Sequence, residues 1–307
     1  MFQHQPVMLR EVVEFLAPAP GRVFVDGTLG GGGHSEALLR AGAGVFGVDR
    51  DQDALDAAGV RLAEYGNFHA LYGNFHDLRA LLQAQGVGPV DGILLDLGVS
   101  SYQLDTAERG FSYHADAPLD MRMDRRQSFD AKELVNTWSE QEIARVLRDY
   151  GEEAWAARIA QMIVEHRARA PLATTGDLVR AVDAAIPRKV RDRDTGHSAQ
   201  KTFQALRIAV NDELAPLGQA LEDAVSLLRP GGRLCVITFH SLEDRIVKQT
   251  FRRLERPCTC PPGLPVCICG KKPSVGLPVR GALKPGAEEI AQNPRARSAK
   301  LRVAQKL

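Results

Sequence analysis

The chain has 307 residues, a formal net charge of +1, and 44% hydrophobic and 25% charged residues. These values are ordinary for a globular protein with one large domain or two of average size. They do not by themselves indicate a nucleic-acid-binding protein. No apolar run approaches the roughly 20 residues that cross a membrane. Residues 1–6 also lack the basic and apolar regions of a secretory signal. We therefore expect a cytosolic protein with no membrane partner.

The first hundred residues alternate between strand and helix patterns. Short apolar runs predict the strands, and apolar residues at helical spacing predict the helices. The predicted strands are Val23–Val25, Gly44–Asp49, Phe68–Tyr72 and Asp91–Leu97, and the predicted helices are Val7–Leu16, Asp51–Glu64 and Leu78–Gln85. Strands and helices that alternate with short links favour a parallel α/β sheet with right-handed crossovers.

The end of the chain supplies further sheet elements. An amphipathic helical pattern, with a bend or break at Pro216, precedes a predicted tight turn in the sequence L-R-P-G-G-R. The predicted elements that follow are the strand Leu234–Phe239, a basic helix Arg245–Glu255, and a final strand Ala299–Ala304 suited to a sheet edge. These elements extend the same sheet.

A long segment separates the fourth and fifth predicted strands. After one crossover helix is allowed for, roughly a hundred residues remain, which is too many for an ordinary connection. Residues 129–185 carry helical patterns, with a capping box from Ser139 to Glu142 and with Thr175 as the cap of the last helix. We predict a helical domain at 111–203, inserted into a discontinuous α/β domain at 1–110 and 204–307.

The segment Val23 to Ser35 predicts a ligand cradle. Its strand ends at Asp26, and five glycines then precede a helical pattern. Glycines allow a ligand close to the backbone, and the start of a helix offers free N–H groups. A flexible surface turn is the alternative for a glycine run of this kind. Asp49, about 20 residues further on, is placed to accept hydrogen bonds from a ribose.

Three features favour S-adenosylmethionine over NAD in this cradle. The L-R-P-G-G-R stretch before the fifth predicted strand, followed by a final strand, is an ending typical of S-adenosylmethionine methyltransferases. The glycines lack the G-x-G-x-x-G/A spacing that holds a pyrophosphate. In addition, Asp26, Asp49 and Asp96 all fall at the carboxyl ends of predicted strands, where carboxylates suit an ammonium and a sulfonium. Each aspartate taken alone is equally explained as a cap or turn residue.

Cysteines and cations are unevenly distributed. Cys258, Cys260, Cys267 and Cys269 form the pattern C-x-C-x6-C-x-C, which could bind one tetrahedral zinc or remain reduced in a flexible loop. Nine Lys and Arg residues stand against two Glu from Lys271 to Leu307. Such local basic stretches suit phosphate contacts, although a solvated surface explains them equally well.

The chain resembles the MraW (RsmH) family of ribosomal RNA methyltransferases, and several long motifs carry the resemblance. They are D-G-T-L-G-G-G-G-H-S at 26–35, D-G-I-L-L-D-L-G-V-S-S-Y-Q-L-D at 91–105, P-L-D-M-R-M-D at 118–124, F-H-S-L-E-D-R-I-V-K at 239–248 and N-P-R-A-R-S-A-K-L-R-V-A at 293–304. The resemblance implies a class I, Rossmann-like S-adenosylmethionine-dependent methyltransferase sheet with an inserted helical domain. It also implies methylation of the exocyclic N4 amine of a cytidine in the decoding region of small-subunit ribosomal RNA, within the assembling 30S subunit.

The resemblance also assigns residues to the cofactor. It implies that Gly32, Gly33 and His34 lie at the methionine end and that Asp49 binds the ribose. By the same resemblance, Phe75 would flank the adenine, Asp96 would lie beside the ligand, and Gln103 would contact it. From the residues alone, His34 is a neighbour of the helix N-cap and Phe75 is a core residue.

Methyl transfer to cytosine needs acceptors for hydrogen bonds from a poorly nucleophilic amine. Asp96 is the nearest carboxylate and our candidate catalytic residue. The target base must be unstacked, and Phe111 and Tyr113 could stack on it or could pack within the protein. The candidate phosphate contacts are Arg122, His240, Arg245, Lys248, Arg295 and Arg297. Two alternative functions remain at this point: an NAD-dependent oxidoreductase, and a non-enzymatic RNA-binding assembly factor.

Overall fold

The computed structural model describes residues 6–192, 197–261 and 268–307. It divides into two compact units, Met1–Gly98 with Leu214–Leu307, and Val99–Glu213. The domain limits predicted from the sequence, at residues 110 and 203, fall inside the second unit. One reason is that Arg109 belongs to this unit, since its guanidinium donates to the carbonyls of Arg122 and Met123 at 2.9 and 3.2 Å. Within the described ranges, no helix is long and apolar enough to cross a membrane.

The secondary structure elements are numbered in chain order. The strands are β1 (Val23–Asp26), β2 (Gly44–Asp49), β3 (Phe68–Tyr72), β4 (Val90–Asp96), β5 (Leu228–Thr238), β6 (Val275–Gly276) and β7 (Lys300–Lys306). The helices are α1 (Leu9–Leu16), α2 (Gly33–Arg40), α3 (Gln52–Arg61), α4 (Leu78–Ala84), α5 (Ser101–Asp105), α6 (Ala131–Thr137), α7 (Glu140–Gly151), α8 (Ala156–Arg167), α9 (Thr175–Ala185), α10 (Arg188–Arg191), α11 (Gln200–Asn211), α12 (Leu217–Leu227), α13 (Ser241–Glu255) and α14 (Ala287–Gln292).

The first unit contains, in its described residues, a seven-stranded sheet of order β3-β2-β1-β4-β5-β7-β6. Strands β1 to β5 are parallel, whereas β7 is antiparallel to both β5 and β6. The chain runs from β1 outward to β2 and β3, then returns to place β4 on the other side of β1. The crevice at the carboxyl ends of β1 and β4 is therefore the switch point at which such sheets bind ligands. The predicted α/β fold is confirmed.

Helices cover both faces of this sheet. On one face, Val12 of α1, Leu38 of α2 and Leu55 of α3 belong to a buried cluster that includes Phe24 of β1. The other face has a second cluster, in which residues of α4, α12 and α13 pack with β4 and β5. The middle of a strand that is covered on both sides must be apolar, which is why residues 23–25 of β1 and 93–95 of β4 are continuous apolar runs.

Two sequence predictions about the last strands are wrong. The sequence L-R-P-G-G-R belongs to β5, where the pairing register with β4 shifts between Val90 and Gly92. Gly231 takes a left-handed φ of 82° within this irregularity. The final strand, β7, is not at the sheet edge, because the two-residue strand β6 pairs with its outer side.

The second unit is largely helical. Its described residues form one apolar cluster, to which Leu134, Ile143, Ile159, Leu178 and Leu206 each contribute a buried side chain from a different helix. Ser139 caps α7 through the predicted capping box with Glu142. The cap of α9 is Thr174 instead of the predicted Thr175. The Thr175 hydroxyl is used elsewhere, since it donates to the Ala115 carbonyl at 2.6 Å.

Candidate functional site

Three buried or half-buried aspartates end neighbouring strands of the first unit. Asp26 is the last residue of β1, Asp49 ends β2, and Asp96 ends β4. Because these strands are parallel and adjacent, the three carboxylates lie at one edge of the sheet. The three carboxylates have different hydrogen-bond partners, so they differ in which further groups they can accept hydrogen bonds from.

Asp49 is held in place by two backbone amides. Its Oδ2 accepts a hydrogen bond from the Gly30 N–H at 2.8 Å, and its Oδ1 accepts one from the Asp51 N–H at 2.9 Å. Burial raises the pKa of Asp49, and the two amide bonds oppose that increase. Each oxygen retains one further lone pair. The carboxylate is therefore oriented by the backbone and can still accept two hydroxyl groups.

Asp26 is almost fully buried, with 1% of its surface exposed. The Ser35 hydroxyl donates to its Oδ2 at 2.8 Å, and the Thr28 N–H donates to its Oδ1 at 3.3 Å. Burial raises the pKa of Asp26 to about 6, and the Asp49 charge adds to that increase. Asp26 therefore ties the glycine loop to the start of α2.

Asp96 carries the most unusual atom of the site. Its Oδ1 is buried and has no hydrogen-bond partner. Burial, and then the charges of Asp26 and Glu243, hold the pKa of Asp96 well above its ordinary value. A buried carboxylate oxygen without a donor costs free energy, so such an atom is expected to face a ligand that supplies the donor.

His34 lies in the first turn of α2 and links the glycine loop to the segment before α1. Its Nε2 is 2.9 Å from the Val7 carbonyl oxygen. Since a carbonyl only accepts hydrogen bonds, Nε2 must carry a proton. The Nδ1 of the same ring lies 3.9 Å from Asp96 Oδ2. His34 therefore lies inside the helix, two residues beyond the Gly32 N-cap, with its ring beside the candidate catalytic carboxylate.

The structure explains why the last two residues of the glycine run, Gly32 and Gly33, are glycine. Gly32 takes a left-handed φ of 76°, which L side chains rarely adopt. A Cβ on Gly33 would lie 2.5 Å from Pro6 Cγ, so the segment before α1 passes directly over the loop. These residues form a cradle with little room for side chains, as a closely bound ligand requires.

Phe75 and His76 follow β3 in a short 3-10 helix, Phe75–Asp77. The Phe75 side chain comes close to the glycine loop, because a Cβ on Gly27 would lie 3.2 Å from Phe75 Cβ. Burial, followed by the Arg50 charge, lowers the pKa of His76 to about 4. Its Nε2 is buried without a partner. The sequence interpretation missed His76, although its place beside Phe75 was a usable signal.

Gln103 and Arg122 belong to the second unit and are engaged within it. Gln103 is buried and forms a capping box at the start of α5, where its Oε1 accepts the Ser100 N–H at 3.0 Å. Arg122 donates from Nε and Nη2 to the two carboxylate oxygens of Asp120, both at 2.8 Å. Both side chains thus have structural partners in this unit, and their predicted ligand and RNA contacts remain predictions.

The two aromatic candidates for base stacking also pack within the second unit. Phe111 is buried in its apolar cluster. The Tyr113 ring stacks on His197, with centroids 4.5 Å apart, and meets Phe203 edge-on. These contacts support the packing interpretation of both rings.

The remaining candidate RNA contacts fall into two environments. Arg245 and Lys248 are exposed on α13, and Arg295 and Arg297 are exposed in the 3-10 helix Pro294–Ser298. His240 is instead the N-cap of α13, with its Nε2 3.0 Å from Oε1 of the buried Glu243. Glu243 also accepts the Phe239 N–H at 2.9 Å. The sequence interpretation missed Glu243, which orients the end of β5.

Three of the four late cysteines lie together. The sulfur atoms of Cys258, Cys260 and Cys269 are all within 4.8 Å of one another. The fourth cysteine of the pattern, Cys267, is outside the described residues.

The first unit has the fold of a class I methyltransferase domain, a type of domain that binds a nucleoside-containing cofactor. Its parallel sheet, its glycine loop and the carboxylates at the switch point define this class. The chain belongs to the MraW methylase family, whose model matches residues 1–307. It is therefore a methyltransferase, and the resemblance seen in its motifs is confirmed.

Relatives and one solved structure illustrate the similarity. The chain is 55% identical to "Ribosomal RNA small subunit methyltransferase H" of Symbiobacterium thermophilum, over 100% of this chain and 97% of the relative. It is 54% identical to the protein of the same name from Heliobacterium modesticaldum, over 100% of this chain and 99% of the relative. An rRNA methylase structure from Streptococcus thermophilus matches 100% of this chain and 99% of its own at 12% identity, with a TM-score of 0.41 that is too low to inform on this protein.

Proposed function

We propose that this enzyme methylates the exocyclic N4 amine of a cytidine in the decoding region of small-subunit ribosomal RNA, with S-adenosylmethionine as the methyl donor. The observation that carries the proposal is the buried, unpartnered Oδ1 of Asp96 at the sheet switch point of a methylase. The names of the relatives, which specify small-subunit ribosomal RNA, support the substrate class.

The residues of the cradle fit the cofactor. Asp49 would accept both ribose hydroxyls, because its amide partners fix the carboxylate and leave one lone pair on each oxygen. Gly32 and Gly33 would allow the methionine portion close to the backbone, and Phe75 would flank the adenine. Gln103 is a proposed further contact. When bound, S-adenosylmethionine supplies a methyl group already activated by its sulfonium.

Asp96 is the proposed catalytic residue. The cytosine amine is a poor nucleophile because its lone pair is delocalised into the ring. By accepting a hydrogen bond from this amine, Asp96 Oδ1 would favour a pyramidal nitrogen and hold it in position. A carboxylate with a raised pKa is also a better acceptor for the proton that the methylated nitrogen releases. His34 would act as a positioning residue beside it.

Ribosomal RNA requires cationic contacts that are separate from the cofactor cradle. We propose Arg245 and Lys248 on α13, and Arg295 and Arg297 in the 3-10 helix, as phosphate contacts, since all four are exposed. His240 and Arg122 are weaker candidates because Glu243 and Asp120 already engage their side chains. The proposed substrate form is the assembling 30S subunit.

A methyl-transfer assay tests the proposal directly. Purified enzyme would be incubated with tritiated S-adenosylmethionine and either unmodified 30S particles or naked small-subunit RNA, followed by mass spectrometry of the nucleosides. We expect N4-methylcytidine at one decoding-region position, with faster transfer to the particles. Methylation of another base, or of a ring carbon of cytosine, would contradict the proposed chemistry.

The two alternatives make different predictions in parallel assays. An NAD-dependent oxidoreductase would bind NADH in calorimetry and would not bind S-adenosylmethionine. This alternative function conflicts with membership of a methylase family. An assembly factor without activity would bind the particles equally well after Asp96→Asn and would transfer no label. Loss of transfer with retained particle binding in this variant supports the enzymatic role.

A further inference from the structure

The four late cysteines have no role in the proposed methyl transfer. Cys258, Cys260 and Cys269 lie in the connection between the end of α13 and β6. The base of this connection is closed by a hydrogen bond from the Ser274 N–H to the Leu254 carbonyl at 3.0 Å. Its described residues form no helix or strand. Long connections without secondary structure are uncommon in compact domains unless something else fixes them.

The sulfur positions match a tetrahedral metal site. A Zn–S bond of about 2.3 Å places two sulfurs of one tetrahedral site about 3.8 Å apart. The Sγ atoms of Cys258 and Cys269 are 3.8 Å apart, and Cys260 Sγ lies within 4.8 Å of both. A disulfide needs sulfurs about 2.05 Å apart, so the 3.8 Å between the Cys258 and Cys269 sulfurs excludes that bond. The spacing is thus that of two ligands of one ion.

The surroundings also suit a structural site. Cys258 is exposed, whereas Cys260 and Cys269 are half-buried, so an ion has access from solvent. Arg256 and Lys271, each two residues from a cysteine, are exposed cations that would offset the negative charge of a zinc–thiolate group. Cys258 and Cys260 lie near one end of the connection and Cys269 near the other, so their sulfurs bring both ends to one point. The described residues of the connection, 256–261 and 268–274, include no buried side chain, and a metal there would fix them instead.

We propose that Cys258, Cys260 and Cys269 bind one Zn²⁺ as thiolates and that this ion fixes the connection between α13 and β6. Three thiolates and one further ligand complete a tetrahedron. Zinc is redox-inactive, so the site would have a structural role and no part in methyl transfer.

Metal analysis of the untagged full-length chain, purified under reducing conditions, tests the site. We expect about one zinc per chain in the wild type and less than about a tenth in the double variant Cys258→Ser/Cys269→Ser. The matched control is Cys235→Ala, which removes the buried cysteine of β5 and should retain the metal. Less than a tenth of an equivalent in the wild type, one equivalent of iron instead, or zinc that persists in the double variant would each overturn the proposal.

Cobalt substitution adds a count of the thiolates. After zinc removal with a mercurial and addition of excess thiol, Co²⁺ should give strong sulfur-to-cobalt charge-transfer absorption and the intense visible bands of a tetrahedral ion. A charge-transfer intensity that corresponds to three or more thiolates per cobalt supports the assignment, and one that corresponds to two or fewer contradicts it. Trypsin should also cleave after Lys271 several-fold faster in the double variant than in Cys235→Ala, and equal rates would overturn the stabilising role.

Discussion

The Gly30 backbone amide donates a hydrogen bond to Asp49 Oδ2 at 2.8 Å. This bond joins the glycine loop after β1 to the end of β2, two segments that each contact a different part of a nucleoside ligand in such folds. The loop is thereby positioned by the same carboxylate that is proposed to bind the ribose. A change at Asp49 should therefore affect both the ribose contact and the loop.

Asp49→Ala should weaken binding of S-adenosylmethionine by about 1–3 kcal/mol, because it removes acceptors for the ribose hydroxyls and leaves the Gly30 amide without a partner. Isothermal titration calorimetry measures the change. Asp56→Ala is the control, since Asp56 is exposed on α3 and should leave the affinity unchanged. An affinity equal to that of the wild type would remove Asp49 from the proposed site.

Much of the first unit was predictable because its local patterns are strong. Strand β2 was predicted to the residue, since a buried parallel strand is an uninterrupted apolar run that ends in Asp49. Strand β7 was misplaced for the opposite reason. Its period-two alternation suggests an edge, but the strand β6 that covers it has two residues and leaves no periodic signal.

The site shows the same division. Asp26, Asp49 and Asp96 were predictable because each follows an apolar run. Their partners were not, since the contact of His34 with Val7 and the proximity of Pro6 to Gly33 depend on how the chain returns over the loop. His240 was predicted as a phosphate contact, and the sequence pattern gave no sign that Glu243 would engage it.

Asp96→Asn should lower kcat by about 10²–10³-fold, because the amide cannot accept a proton and offers a donor in place of one acceptor. The KM for S-adenosylmethionine should change much less, since this role concerns the methyl-accepting amine. Steady-state assays with 30S particles measure both constants. Asp223→Asn is the matched control, because Asp223 of α12 forms an ion pair with Arg79 of α4. A kcat within a factor of three of wild type would rule out Asp96 as the catalytic carboxylate.

Gly33→Ala should weaken cofactor binding, because its Cβ would lie 2.5 Å from Pro6 Cγ and would displace the segment that carries the Val7 carbonyl. A tenfold loss of affinity, about 1.4 kcal/mol, is the expected scale. Gly59→Ala in α3 is the control, since a Cβ there meets nothing within 4 Å. It should be neutral or stabilise the protein by about 0.5–1 kcal/mol. Equal cofactor affinities for the two variants would contradict the close-packed cradle.

Neutralising Arg245 and Lys248 should reduce the salt dependence of RNA binding. If each contacts one phosphate, the double variant Arg245→Gln/Lys248→Gln should lower the slope of log K against log salt concentration by about 2. Filter binding to 30S particles at several salt concentrations gives the slope. Arg10→Gln, an exposed cation on α1, serves as the control. An unchanged slope in the double variant would show that α13 does not contact phosphate.

Asp26 should make the stability of the cofactor-free protein depend on pH. Its pKa is about 6 in the folded protein and 3.8 ordinarily, so between these values the folded state binds more protons than the unfolded state. The free energy of unfolding should therefore fall as the pH rises from about 4 to about 6, by up to about 3 kcal/mol.

Asp26→Asn should remove this dependence, because the amide is neutral throughout and its oxygen can still accept the Ser35 hydroxyl. Relative to the wild type, the variant should gain stability progressively above pH 4 and reach its full advantage above pH 6. Urea unfolding at pH 4.5 and 7.5 measures the difference, with Asp56→Asn as an exposed control. If the wild type and Asp26→Asn differ by the same free energy at both pH values, burial of the Asp26 charge does not limit stability.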